Sequence, residues 1–179
     1  MMKYITISIL ILVSVSCNSN TETKTMTEEN KSNKQNVENN DTIPKVTGIG
    51  GIFFFSEDTE KTKNWYSENL GLETNQWGSS FEFRNAHRPE EINYLQWSPF
   101  KKGSEYFSPS KKEFMINYRV QNIEGLVQKL KQNGATILDS IETYDYGKFV
   151  HIMDNDGNKI ELWEPVDSVF TDMGGDTTK

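Results

Sequence analysis

Asp154-Asn155-Asp156-Gly157-Asn158-Lys159-Ile160-Glu161-Leu162-Trp163 joins a turn to a strand and sets a carboxylate between two apolar residues. Asn, Asp and Gly supply turn conformations, and Gly157 suits a position with positive φ. In the strand that follows, side chains alternate between faces, so Ile160 and Leu162 share one and Glu161 and Trp163 the other. One face is core; the other carries an acid. Read alone, the strand leaves Glu161 as a solvated charge on an exposed sheet face. What the other strands place beside it decides between that reading and a role in a site.

The chain has 179 residues, enough for one medium domain with extensions or for two small modules. A formal charge of −7, with no Lys/Arg cluster able to release many phosphate counterions, excludes nucleic acid as a partner. Residues 1–16 read as an export signal: Lys3 gives the positive start, and Ile5 to Val15 form an apolar run too short for a comfortable membrane-spanning helix. Ser14-Val15-Ser16-Cys17 resembles the lipobox of bacterial lipoproteins, in which the cysteine is lipidated and becomes the mature N-terminus. That resemblance implies Cys17 as a membrane anchor and a place in the bacterial cell envelope, periplasmic or on the surface. Ser14 departs from the leucine most often found there, and ordinary cleavage after a small residue is the alternative. Cys17 is the only cysteine, so the folded part has neither an intrachain disulfide nor a thiol active site. The rest of residues 17–44 is polar, with Met26, Val37 and Ile43 as its larger apolar side chains, and reads as a flexible tether.

The folded domain is expected over 45–166. Ile49 to Phe55 is an apolar run headed by glycines, and Ser56 to Thr59 caps a helical pattern starting near Glu60 and stopping at Gly71. Trp65, Tyr66 and Leu70 are close enough in phase to share that helix's face. Short strands follow at Leu72 to Asn75, Ser80 to Arg84 and Tyr94 to Ser98. The order βαβββ then repeats: Phe114 to Val120, a helix from Ile123 to Gln132, Ala135 to Asp139, Tyr146 to Met153, and Lys159 to Glu164. The spacing from Gly51 to Met115 matches that from Gln96 to Glu161 to within one residue, which indicates a duplication. Residues 167–179 are polar and read as a loose tail.

Paired βαβββ modules, with Asp-x-Asp-Gly-Asn-x-Ile-Glu-Leu in the last, resemble the glyoxalase/bleomycin-resistance/extradiol-dioxygenase superfamily, also called vicinal oxygen chelate. The resemblance implies an α+β fold in which two modules form a shared U-shaped cleft with helices outside, paired within one chain or across a homodimer. It does not settle an activity, because the scaffold hosts isomerases, epimerases, dioxygenases, thiol transferases and ligand-binding proteins. It also implies four metal-ligand positions, which here read Gly51, Gln96, Met115 and Glu161. Glycine has no donor and a thioether is a soft, weak ligand for nickel, zinc, iron or manganese. The expectation is therefore a cleft without the family metal and without another cofactor, with a metal-dependent lyase, isomerase or dioxygenase as the alternative.

Alternation lists what the cleft should hold: Gly51, Phe53, Phe55, Glu82, Arg84, Gln96, Met115, Asn117, Arg119, His151, Glu161 and Trp163. Such a set suits a small molecule with a planar or apolar body and an anionic end, for which Arg84 and Arg119 are candidate partners. Phe53, Phe55, Gln96, Asn117 and Trp163 complete the candidate binding set. The competing reading closes the cleft through Arg119–Glu161 and Arg84–Glu82 pairs. Glycine at position 51 leaves space for a substrate or for water. If there is catalysis, Glu161 is the candidate base and His151 or Arg119 the polarising group for proton abstraction next to a carbonyl. His151 as a hydrogen-bonded residue without chemistry stands beside that, and His87 reads as a surface residue. A bleomycin-resistance-like sequestering protein and a non-catalytic interaction module remain the other classes.

Overall fold

Asp58 starts the first helix: its side chain accepts a hydrogen bond from the Lys61 N–H at 3.0 Å, and Gly71, at φ 71°, closes the far end in the left-handed conformation that its missing Cβ permits. The computed structural model describes residues 42–86 and 88–178; the export signal, Cys17, the tether up to residue 41, and His87 lie outside the described residues. In chain order the elements are β1 (Lys45–Ser56), α1 (Thr59–Leu70), β2 (Thr74–Asn75), β3 (Gly78–Arg84) and β4 (Ile92–Lys101). A 3-10 turn at Glu105–Phe107 leads into β5 (Phe114–Gln121), α2 (Ile123–Gln132), β6 (Thr136–Ile137), β7 (Glu142–Tyr144), β8 (Gly147–Met153), β9 (Lys159–Pro165) and α3 (Asp167–Met173).

The strands form one nine-stranded sheet in the order β2-β3-β4-β1-β5-β9-β8-β6, with β7 also on β8. β1 lies parallel to β4 and β5 parallel to β9, while an antiparallel β1–β5 pairing joins the two modules within the chain. This is the α+β architecture the residue pattern indicates, with β7 as an added strand.

Register sorts the two faces. Ile52, Ile116, Ile160, Leu162 and Val150 fall on one, where α2 buries Ile123, Leu126 and Val127 against Val150, Leu162 and Ile160. On the same face α1 lays Tyr66 on Trp97, ring centroids 4.6 Å apart. The sheet-facing side of α1 is not the one expected from its pattern: Trp65 and Leu70 are more than half exposed, and the buried residue is Lys63. Its Nζ donates to the carbonyls of Asn75 at 3.1 Å and Gln76 at 3.2 Å and pairs with Glu60, so the helix locks the β2 turn with an amphipathic stem rather than an apolar one.

Gly51, Phe53, Gln96, Met115, Asn117, Arg119, His151, Glu161 and Trp163 fall on the opposite face, called the inner face below. β1 bulges twice, and Gly50 is the extra residue of the second bulge. A Cβ on Gly50 would fall on Asn117 Oδ1 and lie 2.7 Å from a Trp163 ring carbon and 2.9 Å from Arg119 Cγ. A Cβ on Gly51 would lie 2.6 Å from the Phe53 ring. The space expected at Gly51 is thus taken by the chain's own side chains. Gly50→Ala is expected to cost about 1–3 kcal/mol, the usual range for overpacking. A lowered denaturant midpoint at unchanged slope would show it; unchanged stability would mean that Asn117 and Trp163 can retreat without loss.

The segment from Asp167, read from its composition as loose, forms α3 and lies across the inner face, so only α1 and α2 keep to the outside. Two anchors that composition does not show hold it, an Arg119–Asp167 ion pair and a socket for the Phe170 ring. Past α3, Thr178 bridges to Phe81 in parallel sense, its N–H donating to the Ser80 carbonyl at 2.8 Å. Among the described residues no helix is long and apolar enough to cross a membrane.

A buried relay on the inner face of the sheet

Adjacent registers line up one row of residues across six strands: Ser80, Gln96, Gly51, Asn117, Glu161 and His151. Glycine at the centre breaks the row into two hydrogen-bonded halves. In one, Ser80 Oγ donates to Gln96 Oε1 at 2.8 Å, and Gln96 Nε2 lies 3.1 Å from Ser98 Oγ. In the other, Asn117 Nδ2 donates to Glu161 Oε1 at 2.6 Å, and His151 Nε2 meets Glu161 Oε2 at 3.0 Å.

His151 continues the chain outward. Its Nδ1 is 2.6 Å from Asp139 Oδ2, and its backbone N–H donates to Asp139 Oδ1 at 2.7 Å. Both ring nitrogens therefore face carboxylates, and only the imidazolium can donate to both. From above, the Tyr106 hydroxyl donates to Glu161 Oε2, and the Tyr106 ring stands edge-on to His151 with centroids 5.6 Å apart. Lys159 Nζ donates to the Tyr106 carbonyl at 2.7 Å and lies over its ring. Two carboxylates and two cations thus share the site.

Glu161 is 3 % exposed. Burial alone would push its pKa up, but the hydrogen bonds from His151, Tyr106 and Asn117 outweigh it and hold the carboxyl below its ordinary value. Burial likewise pulls His151 down, and the bonds and charges of Glu161, then Asp139, more than offset this and raise it. Tyr106 is raised by burial and by the Glu161 charge beneath it, and Lys159 is lowered by burial. These directions determine a pH profile. The stability from His151, whose folded pKa is raised, is complete below its ordinary 6.5 and is lost as pH rises through the raised value. That from Glu161, whose folded pKa is lowered, is complete above its ordinary 4.5 and is lost as pH falls through the lowered value. Thermal midpoints should decline on the alkaline side, and His151→Gln should remove that limb; the same limb in both proteins would assign it elsewhere.

Most of the candidate residues fall into three groups, with Gln96, on Ser80, and Arg84 outside them. Glu161, His151 and Asn117 are in direct contact. Phe53 and Phe55 pack with Met115, Phe100 and Phe107, Phe55 stacking on Phe107 at 4.3 Å. Arg119 and Trp163 form a second cluster, the guanidinium 5.1 Å from the indole centroid, and Asp167 of α3 rather than Glu161 is the partner of Arg119. Arg84 is exposed and donates to the Glu90 carbonyl at 3.4 Å, and Glu82 accepts from Thr177. Tyr106 and Asp139 were not candidates; they come from connections whose position only the folded chain determines. An aromatic pair, Tyr106-Phe107, in the link between the modules is the signal that could have found the first.

The four positions that hold the metal in the family offer few free donors here. Gly51 has no donor. Met115, at 0 % exposure, sits one row away from Glu161 among the rings of Phe53 and Phe107. Gln96 Oε1 accepts from Ser80, and both Glu161 oxygens accept from protein donors. Among the described residues no group of three or more His, Cys, Asp or Glu side chains could hold a metal ion. The donor set does not fit a divalent ion.

The uncharacterized protein YetH of Bacillus subtilis is 27 % identical over 133 residues, covering 66 % of this chain and 99 % of its own. Among solved structures, Streptomyces coelicolor methylmalonyl-CoA epimerase in complex with 2-nitronate-propionyl-CoA aligns with TM-score 0.52 and 13 % identity over 68 % of this chain and 99 % of its own. Methylmalonyl-CoA epimerase in complex with methylmalonyl-CoA and NH4+ also aligns with TM-score 0.52, at 12 % identity over 68 % of this chain and 96 % of its own. At such identity these two show the fold alone. The family model of the Glyoxalase/Bleomycin resistance protein/Dioxygenase superfamily matches residues 48–162, and with the two joined βαβββ modules and the strand that carries Glu161, the chain belongs to that superfamily.

Proposed function

We propose that the protein binds a small organic molecule on the inner face of the sheet, without the metal that many members of the superfamily use, and is held at a bacterial cell envelope through a lipidated Cys17. The observation that carries the binding reading is a buried cation on an aromatic wall: Arg119, 4 % exposed, over Trp163, 5 % exposed. Cavities of about 580 Å³ and 360 Å³ open on the two flanks of α3, the first reaching Arg119 and the second reaching Tyr94 and Phe170. The first cavity also carries Glu90, Glu91, Glu164 and Asp172, so a small organic anion enters it only by taking the place of Asp167 on Arg119, with Trp163 as the apolar wall.

Binding ranks ahead of catalysis because Glu161 is saturated. Its oxygens accept from Asn117, His151 and Tyr106, and it stays ionised below its ordinary pKa, which makes it a weak base. The direct Glu161–His151 contact favours a second reading, proton abstraction next to a carbonyl. That chemistry needs Tyr106 or His151 to release the carboxylate first.

A thermal-shift screen of small organic acids on the purified protein, run beside nickel, zinc and manganese, tests the first reading. A compound at a hundredfold excess over its Kd should add about 2.7 kcal/mol of stability, while the metals add none. Stoichiometric metal that is lost in Glu161→Ala would overturn the metal-free reading, and a screen with no stabilising compound would overturn binding. For the anchor, Cys17→Ala should move the protein from the membrane to the soluble fraction.

A further inference from the structure

Helix α3 has seven residues, no side-chain cap and no fully buried residue. A helix of that length does not persist alone in water. Two side chains one turn apart hold it. Asp167 Oδ2 accepts from Arg119 and, at 3.2 Å, from Asn93 Nδ2. The Phe170 ring sits 5.5 Å from Tyr94, 5.5 Å from Trp163 and 6.1 Å from Tyr146.

The receiving groups are built into the sheet. Arg119, Asn93, Tyr94 and Trp163 are each less than a tenth exposed and stand on paired strands. Arg119 Nη1 is fixed on the Tyr94 carbonyl at 3.0 Å, and its charge lies over Trp163, so it needs an anion from whatever covers it. The occupant fits less well. Asp167, fixed at the first residue of α3, leaves its Oδ1 buried with no hydrogen-bond partner among the described residues. A carboxylate free of that constraint can turn both oxygens toward donors.

On the reading that small molecules bind this face, we propose that α3 is an internal ligand. Asp167 and Phe170 occupy the site, and the molecule that displaces them is a short aromatic carboxylate, its anionic group on Arg119 and its ring between Tyr94, Trp163 and Tyr146. Residues i and i+3 of a helix hold their Cβ atoms about 5–6 Å apart, which sets the length of the link between ring and carboxylate. A tethered occupant competes at millimolar effective concentration, so the apparent affinity of a free ligand is reduced to the fraction of molecules in which α3 is open.

The test uses 3-phenylpropanoate as probe, its neutral amide as control, and the whole chain with and without Phe170→Ala. By titration calorimetry Phe170→Ala should bind the carboxylate at least about tenfold more tightly than the parent, because the open fraction rises. The amide should not bind, and Arg119→Gln in the same background should lose the carboxylate. Saturating the parent chain should speed amide hydrogen exchange at residues 169–173. Equal affinity in parent and Phe170→Ala, or slower exchange in α3 on saturation, would overturn the proposal. So would the absence of binding by either protein; the thermal-shift screen then decides separately whether binding on this face stands. Should Arg119→Gln not fold, Asp167→Asn alone should still tighten binding, and a loss there would count against the internal ligand.

Discussion

Glu161→Ala is expected to remove about 3–5 kcal/mol of folding stability, the range for taking away one partner of a buried ion pair. For a domain of this size that lowers the thermal midpoint by roughly 10 to 20 °C. The loss comes from what is left behind. His151 keeps only Asp139, the Tyr106 hydroxyl and the Asn117 amide lose their acceptor, and a cavity opens at a site 3 % exposed. Because the three donors act on one carboxylate, the His151→Ala/Glu161→Ala double variant should lose less than the two singles together. A cost within about 0.5 kcal/mol would return Glu161 to the status of a solvated surface charge.

Phe107→Ala should be comparably damaging for a different reason. Phe107 is 1 % exposed, stacks on Phe55 at 4.3 Å and meets Phe100 at 5.3 Å, so truncation leaves a void in an aromatic cluster and costs about 3–5 kcal/mol. It also frees the turn that hangs Tyr106 over Glu161. Tyr106→Phe separates the two effects: it keeps the stacking on Phe100 and deletes only the bond to a charged acceptor, worth about 1.5–3 kcal/mol. Chemical denaturation of the three proteins gives the order, and a Phe107→Ala loss no larger than that of Tyr106→Phe would show the cluster to be loosely packed.

The sheet was readable because period-two alternation is a local property. Ile160 and Leu162 against Glu161 and Trp163 put β9 in register, and the repeated spacing placed Gln96 and Glu161 on the same face. The site was only half readable because its remaining parts come from contacts distant in sequence. Tyr106 reaches Glu161 from the link between modules, and Asp139 reaches His151 from the connection after β6. Gly51 suggested space, but the space depends on where the Phe53 ring turns, which backbone alternation does not specify. The tail misled for the same reason: a polar segment with one phenylalanine looks disordered until Arg119 and an aromatic socket are waiting for it.

The Thr178 bridge has a consequence for how copies of the protein meet. A long sheet presents an unpaired edge at each end, and such edges recruit strands from other molecules. Here β2 and β6 are two residues each, and beyond β2 the edge of β3 is taken by the end of the chain itself, Thr178 bonding at Ser80 and Phe81. The segment that lies across the inner face therefore also covers part of the β3 edge at Ser80 and Phe81, where an incoming strand would otherwise pair.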